Sequence, residues 1–112
     1  MGKILSWTLA VALLGAAMLA AASPAKAQVE SGKQIYEDKC TLCHGSDGKG
    51  NGPAASSFSP PPVDFTTPGF WKGDVDKKIA DSIENGKGAM PALDLSSKQI
   101  REVIDYMKHT FK

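Results

Sequence analysis

The sequence has few of the residues that build metal clusters, disulfide networks or sheets. Its 112 residues include only two cysteines and two histidines. Without a second Cys/His pair, the cysteines cannot complete the four ligands of a structural zinc site. No convincing strand pattern or internal repeat is present, which argues against the strand–helix–strand context of a thioredoxin-like dithiol. Any cysteine chemistry must therefore come from a single small motif.

Excess basic charge is also missing. The chain carries 13 Lys and Arg residues against 12 Asp and Glu residues. Because Lys3 and Lys26 lie near the start, residues 28–112 carry 11 basic and 12 acidic side chains, a net charge of −1. This balance differs from the strongly basic surface of nucleic-acid-binding proteins. We therefore expect no nucleic-acid partner.

The first 27 residues have the pattern of a secretory signal peptide. A short positive start precedes an uncharged apolar run at residues 4–22, and S-P-A-K-A at 23–27 provides an A-x-A cleavage sequence. Cleavage after Ala27 leaves one domain of 85 residues, 28–112, which we expect in the periplasm. The alternative is an uncleaved anchor, since the 19 apolar residues are just long enough to span a bilayer. Pro24 and the small residues favour cleavage, after which the domain would not span a membrane.

Both cysteines stand in the sequence C-T-L-C-H at positions 40–44, which is the attachment sequence of c-type haem. Two thiols at this spacing can add to the two vinyl groups on one edge of a porphyrin. The next side chain, His44, is then carried under the macrocycle, where its imidazole can reach the iron. A structural disulfide is the alternative in an exported protein. A closely spaced pair followed by histidine fits haem attachment better, and we expect one covalently bound haem c per chain.

Three segments have helical patterns. The first covers residues 29–39 and contains Gly32 in its interior, where glycine costs up to about 1 kcal/mol relative to alanine. The second covers residues 75–85, with Asp74 as its N-cap residue, and ends before Gly86. The third covers residues 97–111, after a capping box, and its apolar residues follow the i, i+3, i+4, i+7 rule.

The tract at residues 45–73 is rich in Gly, Pro and Ser and has no regular pattern. A loop of this length in a small domain needs a ligand to organise it, and a haem would do so. The expected fold class is all-α, with three main helices and long loops wrapped around one covalently bound haem.

An iron held by one histidine needs a sixth ligand. His109 falls on the charged side of the third helix, which predicts a solvated residue. Met107 lies within the apolar stripe of that helix, where methionine is usually core filler. Met90 instead lies in an irregular segment, before Pro91 and just after two glycines that permit close approach to a flat surface. Met90 is therefore the candidate sixth ligand, and the alternative is a loop methionine packed on the core.

The chain resembles the small class I cytochromes c over nearly all of residues 28–112. The resemblance is carried by C-T-L-C-H-G at 40–45, G-K-G-N-G-P at 48–53 and G-A-M-P-A at 88–92, and by the order of helices and loops around them. It implies the cytochrome c fold.

The same resemblance implies roles for individual residues. Cys40 and Cys43 would be the thioether anchors, with His44 as the proximal and Met90 as the distal iron ligand. In the family the first and last helices cross at a glycine–aromatic contact. The residues here that suit this contact are Gly32 and Tyr36.

Two weaker assignments follow from the resemblance. A proline after the motif usually accepts a hydrogen bond from the proximal histidine through its carbonyl, and Pro53 matches. Trp71 would reach a haem propionate through its indole N–H, or would simply pack in the core.

Two functions remain open. A soluble electron carrier has both axial positions filled by histidine and methionine, and is not an enzyme. A haem enzyme or gas sensor needs an open or labile distal site, yet the sequence offers no further histidine, arginine or carboxylate for such a pocket. We expect a monomeric carrier that meets redox protein partners, a reductase and an oxidase or peroxidase. Four lysines would form either a docking rim or a solvated face: Lys72, Lys77, Lys78 and Lys87.

Overall fold

The computed structural model describes residues 23–112. The positive start and the apolar run predicted at residues 1–22 lie outside the described residues, and the division into a leader and a domain stays a prediction. The described part is helical with no β-strand, which confirms the predicted all-α class. Its four helices are α1 (Pro24–Lys39), α2 (Thr41–His44), α3 (Val75–Asn85) and α4 (Ser97–Phe111).

Helix α1 begins five residues before the predicted start at residue 29. The hydroxyl oxygen of Ser23 accepts a hydrogen bond from the backbone N–H of Lys26 at 3.3 Å. Pro24 occupies the first helical position, where a missing N–H costs nothing. Residues 23–27 thus combine a helix start with the small residues of a cleavage sequence. The predicted start at residue 29 was too late because only the cleavage pattern was recognised in these residues.

Helix α4 forms the centre of the core, as its periodicity predicted. Ser96 and Gln99 form the expected capping box, with each side chain bonded to the other residue's backbone N–H. His109 is exposed, as predicted. The predicted apolar stripe is buried throughout: Ile100, Val103, Ile104, Met107 and Phe111.

Helix α1 packs across α4 at Gly32, which confirms the predicted crossing. A Cβ atom at this position would lie 2.0 Å from the carbonyl oxygen of Glu102 and 2.8 Å from the Cβ of Tyr106. One turn later Tyr36 is buried, with its ring centroid 5.5 Å from that of Tyr106 and 5.2 Å from that of Phe111. The glycine lets the two helices meet closely enough for this aromatic cluster to form.

Helix α3 packs on α4 through Val75, Ile79 and Ile83. Its N-cap residue is Asp74, as predicted, although the carboxylate makes no capping hydrogen bond. The helix ends at Gly86, whose φ of +75° is a conformation that glycine adopts without strain.

The tract at residues 45–73 contains one short 3₁₀ turn, Ala55–Ser57, and otherwise consists of turns and extended chain. No helix among residues 23–112 is long and apolar enough to cross a membrane.

Candidate haem site

The attachment motif lies on a single helical turn directly after α1. The backbone N–H of Cys40 donates to the carbonyl of Tyr36 at 2.9 Å, so the first cysteine still belongs to the hydrogen-bonding pattern of α1. The hydroxyl of Thr41 donates to the carbonyl of Glu37 at 2.8 Å. Helix α2 therefore starts from the rigid end of α1, which fixes where the two thiols and the imidazole lie.

Cys40 and Cys43 are both free and half-buried. Burial, with a smaller effect of the neighbouring Cys43, raises the pKa of the Cys40 thiol to about 11. A redox dithiol needs a cysteine with a lowered pKa, because the thiolate is the reacting form. Cys40 thus lacks the lowered thiol pKa of a reacting cysteine in a dithiol oxidoreductase.

His44 is half-buried, and its Nδ1 lies 3.4 Å from the carbonyl oxygen of Val63. Because a carbonyl can only accept, Nδ1 carries the proton in this pairing, and Nε2 keeps its lone pair in the neutral ring. Burial lowers the pKa of His44, and the bond to Val63 opposes this only in part. A neutral imidazole with a free Nε2 is the form that coordinates iron.

The carbonyl that faces His44 belongs to Val63, and this corrects the expectation for Pro53. Pro53 is exposed, whereas the backbone around Val63 returns to the motif. A Cβ atom on Gly50 would lie 2.3 Å from the carbonyl oxygen of Pro62, so glycine permits this close return. The Gly50 N–H also donates to the carbonyl of His44 at 2.8 Å.

Trp71 uses its indole N–H within the protein. The Nε1–H donates to the carbonyl of Phe65 at 2.8 Å, so the structure favours core packing over the propionate contact. Phe65 itself stacks on the imidazole of His44, with ring centroids 4.5 Å apart and planes 25° apart. Neither Val63 nor Phe65 was predicted from the sequence to belong to the site.

The hydroxyl of Tyr36 connects the core to the residue that follows the motif. Its buried hydroxyl donates to the carbonyl of Gly45 at 2.7 Å, and Gly45 directly follows the proximal histidine candidate. This bond was also missed, because the sequence indicated only that the Tyr36 ring belongs to the helix crossing.

Met90 ends a tight turn that begins at Lys87. The two residues exchange backbone hydrogen bonds of 3.0 Å, and Gly88 between them has a φ of +57°. The Met90 side chain is half-buried and packs against the edge of the core, whereas Met107 is 3% exposed and lies inside it. Of these two thioethers, only that of Met90 is placed on a loop, but its role as a ligand stays a prediction.

The residues present suit a haem c. Two free thiols, an imidazole with a free Nε2 and a loop thioether form the expected donor set. Among residues 23–112, no group of three or more His, Cys, Asp and Glu side chains could hold a metal ion. The exposed large apolar side chains in this part of the chain are Leu42 at 62%, which lies within the motif, and Val63 at 51%, whose carbonyl faces His44.

Comparisons with known proteins indicate the family. The family model described as cytochrome c oxidase, cbb3-type, subunit III matches residues 27–107. A chain in the solved structure of the Kuenenia stuttgartiensis reducing HAO-like protein complex Kustc0457/Kustc0458 is 30% identical, with a TM-score of 0.58. The match covers 72% of this chain and 41% of that one, so this chain spans about two fifths of the length of its neighbour. Among curated proteins, none matches the sequence.

The family match covers most of the described chain, and the structural neighbour shares its helical fold. The chain therefore belongs to the cbb3-type cytochrome c family and is a small c-type cytochrome, whose domain supports haem-based electron transfer.

Proposed function

We propose that this protein is a periplasmic electron carrier with one haem c, attached through Cys40 and Cys43 and ligated by His44 and Met90. When bound, the haem supplies a one-electron iron couple. The observation that carries the proposal is the contact of His44 Nδ1 with the Val63 carbonyl, because in the neutral ring this pairing leaves the lone pair on Nε2. A hydrogen bond from the other ring nitrogen orients a ligating histidine and makes it more basic.

The assignment of Met90 rests on its position. It lies on a turn held by two backbone hydrogen bonds, and its side chain is half-buried. A second protein ligand leaves no site for a substrate, which favours electron transfer over catalysis. We therefore propose a carrier and not an enzyme.

The partners would be redox proteins. All four lysines of the predicted rim are exposed, which is compatible with docking or with plain solvation: Lys72, Lys77, Lys78 and Lys87. The structural neighbour comes from a protein complex, which supports protein partners. We propose a reductase as donor and an oxidase or peroxidase as acceptor, and a monomeric carrier between them.

Two measurements on protein from a host with c-haem maturation test the proposal. The intact mass should equal residues 28–112 plus one haem, and the haem should survive acid-acetone extraction. The absorption spectrum of the reduced protein should be that of a six-coordinate c-type haem and should not change with carbon monoxide. A mass without haem, or ready carbon monoxide binding, would contradict the carrier. A retained leader would contradict only the cleavage.

A further inference from the structure

The aromatic ring of Phe65 lies against one face of the His44 imidazole. The two rings stack with centroids 4.5 Å apart and planes inclined by 25°. Phe65 is 7% exposed, so its ring has little freedom to move away. Stacking on the face of the imidazole does not itself block Nε2, because the ring nitrogens point outward in the plane.

The backbone of Phe65 is fixed on both sides. Its N–H donates to the carbonyl of Gly48 at 2.7 Å, and its carbonyl accepts from Nε1 of Trp71 at 2.8 Å. Two residues earlier, the carbonyl of Val63 lies 3.4 Å from Nδ1 of His44. One short segment therefore contacts the imidazole twice, at its edge and on its face.

Hydrogen bonds also connect the two residues that flank Phe65. The carboxylate of Asp64 accepts from the backbone N–H of Thr66 at 2.8 Å and from its hydroxyl at 2.6 Å. The Phe65 ring also packs against Phe70 and Phe111, with ring centroids 5.1 Å and 6.1 Å apart. The contact with Phe111 connects the ring that stacks on His44 to the core helix α4.

We propose that Phe65 is a positioning residue that sets the plane of the His44 imidazole. The inference rests on the proposed role of His44 as iron ligand. An imidazole bound through Nε2 can still rotate about the bond to the metal, and outer contacts decide its orientation. The Val63 carbonyl restrains this rotation at one atom, while the aromatic face of Phe65 restrains the whole plane.

Proton NMR of the holoprotein tests this assignment without a variant. In the reduced protein, His44 ring protons shifted upfield by the porphyrin ring current would establish that His44 is a ligand. Through-space contacts between these protons and the Phe65 ring are then expected. Unshifted His44 protons would contradict the proposed function, whereas shifted protons without contacts to Phe65 would overturn the positioning role alone.

Variants provide the second readout. In the oxidised protein, the order and spread of the four haem methyl resonances depend on the plane of the axial imidazole. Phe65→Leu and Phe65→Met fill most of the space but remove the aromatic face, so both should change the methyl pattern. Phe70→Leu is the matched control, because Phe70 packs on Phe65. An unchanged pattern in both Phe65 variants, or an equal change in Phe70→Leu, would overturn the proposal.

Discussion

Gly32 and Glu102 meet backbone to backbone where α1 crosses α4. A Cβ atom on Gly32 would lie 2.0 Å from the carbonyl oxygen of Glu102, closer than any real contact. Glu102 is itself buried, with Lys98 one turn away as its ion-pair partner at 3.6 Å. Helix α1 leads into the attachment motif, and its placement therefore depends on Gly32, where there is no room for a side chain.

Gly32→Ala should accordingly destabilise the holoprotein by about 3 kcal/mol, at the upper end of overpacking costs, because the helices must separate. Denaturant unfolding measures the effect. Gly69→Ala is the control, since a Cβ there meets nothing within 4 Å, and it should change stability by less than about 0.5 kcal/mol. Equal stability of the two variants would show that the crossing tolerates a side chain.

The hydroxyl of Tyr36 should stabilise the turn after the motif. Tyr36→Phe removes the donor to the buried Gly45 carbonyl and should cost about 1–3 kcal/mol. Tyr106→Phe is the control, because that tyrosine packs on Tyr36 but its hydroxyl bonds to no other described residue. Its cost should stay below about 0.5 kcal/mol. Similar losses in both variants would argue against a role for the Tyr36 hydroxyl.

The stability difference between wild type and Tyr36→Phe should depend on pH. Burial raises the pKa of Tyr36 above its usual value of 10.0. The unfolded chain therefore loses this proton first, and the stability due to the protonated phenol is full below about pH 10 and declines above it. The difference in unfolding free energy between wild type and Tyr36→Phe should shrink by up to about 1.4 kcal/mol per pH unit above pH 10. A constant difference from pH 8 to 11 would contradict the assignment.

The helices were largely predictable from sequence because their signals are local. Helix α4 has both an apolar stripe and a capping box, and α3 has a cap residue and a terminal glycine. The predicted start of α1 was wrong because residues 23–27 fit both a cleavage sequence and a helix start. The loop tract was correctly expected to be irregular, but its path could not be derived.

The contacts to His44 could not be predicted for a different reason. Val63 acts through its carbonyl, a group that every residue has, and it lies 19 positions from the histidine. Phe65 lies in a proline-rich tract without periodicity, so nothing in the sequence relates its ring to the motif. For Trp71 the expectation was a propionate contact or core packing, and the partner of its indole N–H in the structure is the Phe65 carbonyl.

The haem should supply much of the core that holds this small domain together. A chain of this size has a marginal core of its own, and its tract at residues 45–73 has little regular secondary structure. Changing Cys40 and Cys43 to alanine and isolating the haem-free chain should give a largely unfolded protein. Near-UV circular dichroism and amide proton dispersion measure this. A well-dispersed amide spectrum would show that the protein core suffices.

The central claim is that both axial positions are filled, and Met90→Ala tests it most directly. Met107→Leu is the matched control, because Met107 is 3% exposed within the core and the swap conserves volume at a cost below about 1.5 kcal/mol. Carbon monoxide binding to the reduced protein and the reduction potential are measured for both variants and for wild type.

Wild type and Met107→Leu should resist carbon monoxide and share one potential. Met90→Ala should bind carbon monoxide readily and have a lower potential, because a neutral thioether favours ferrous iron more than water or hydroxide does. If wild type binds carbon monoxide avidly and Met90→Ala changes neither binding nor potential, Met90 is not the sixth ligand and the protein is not a simple electron carrier.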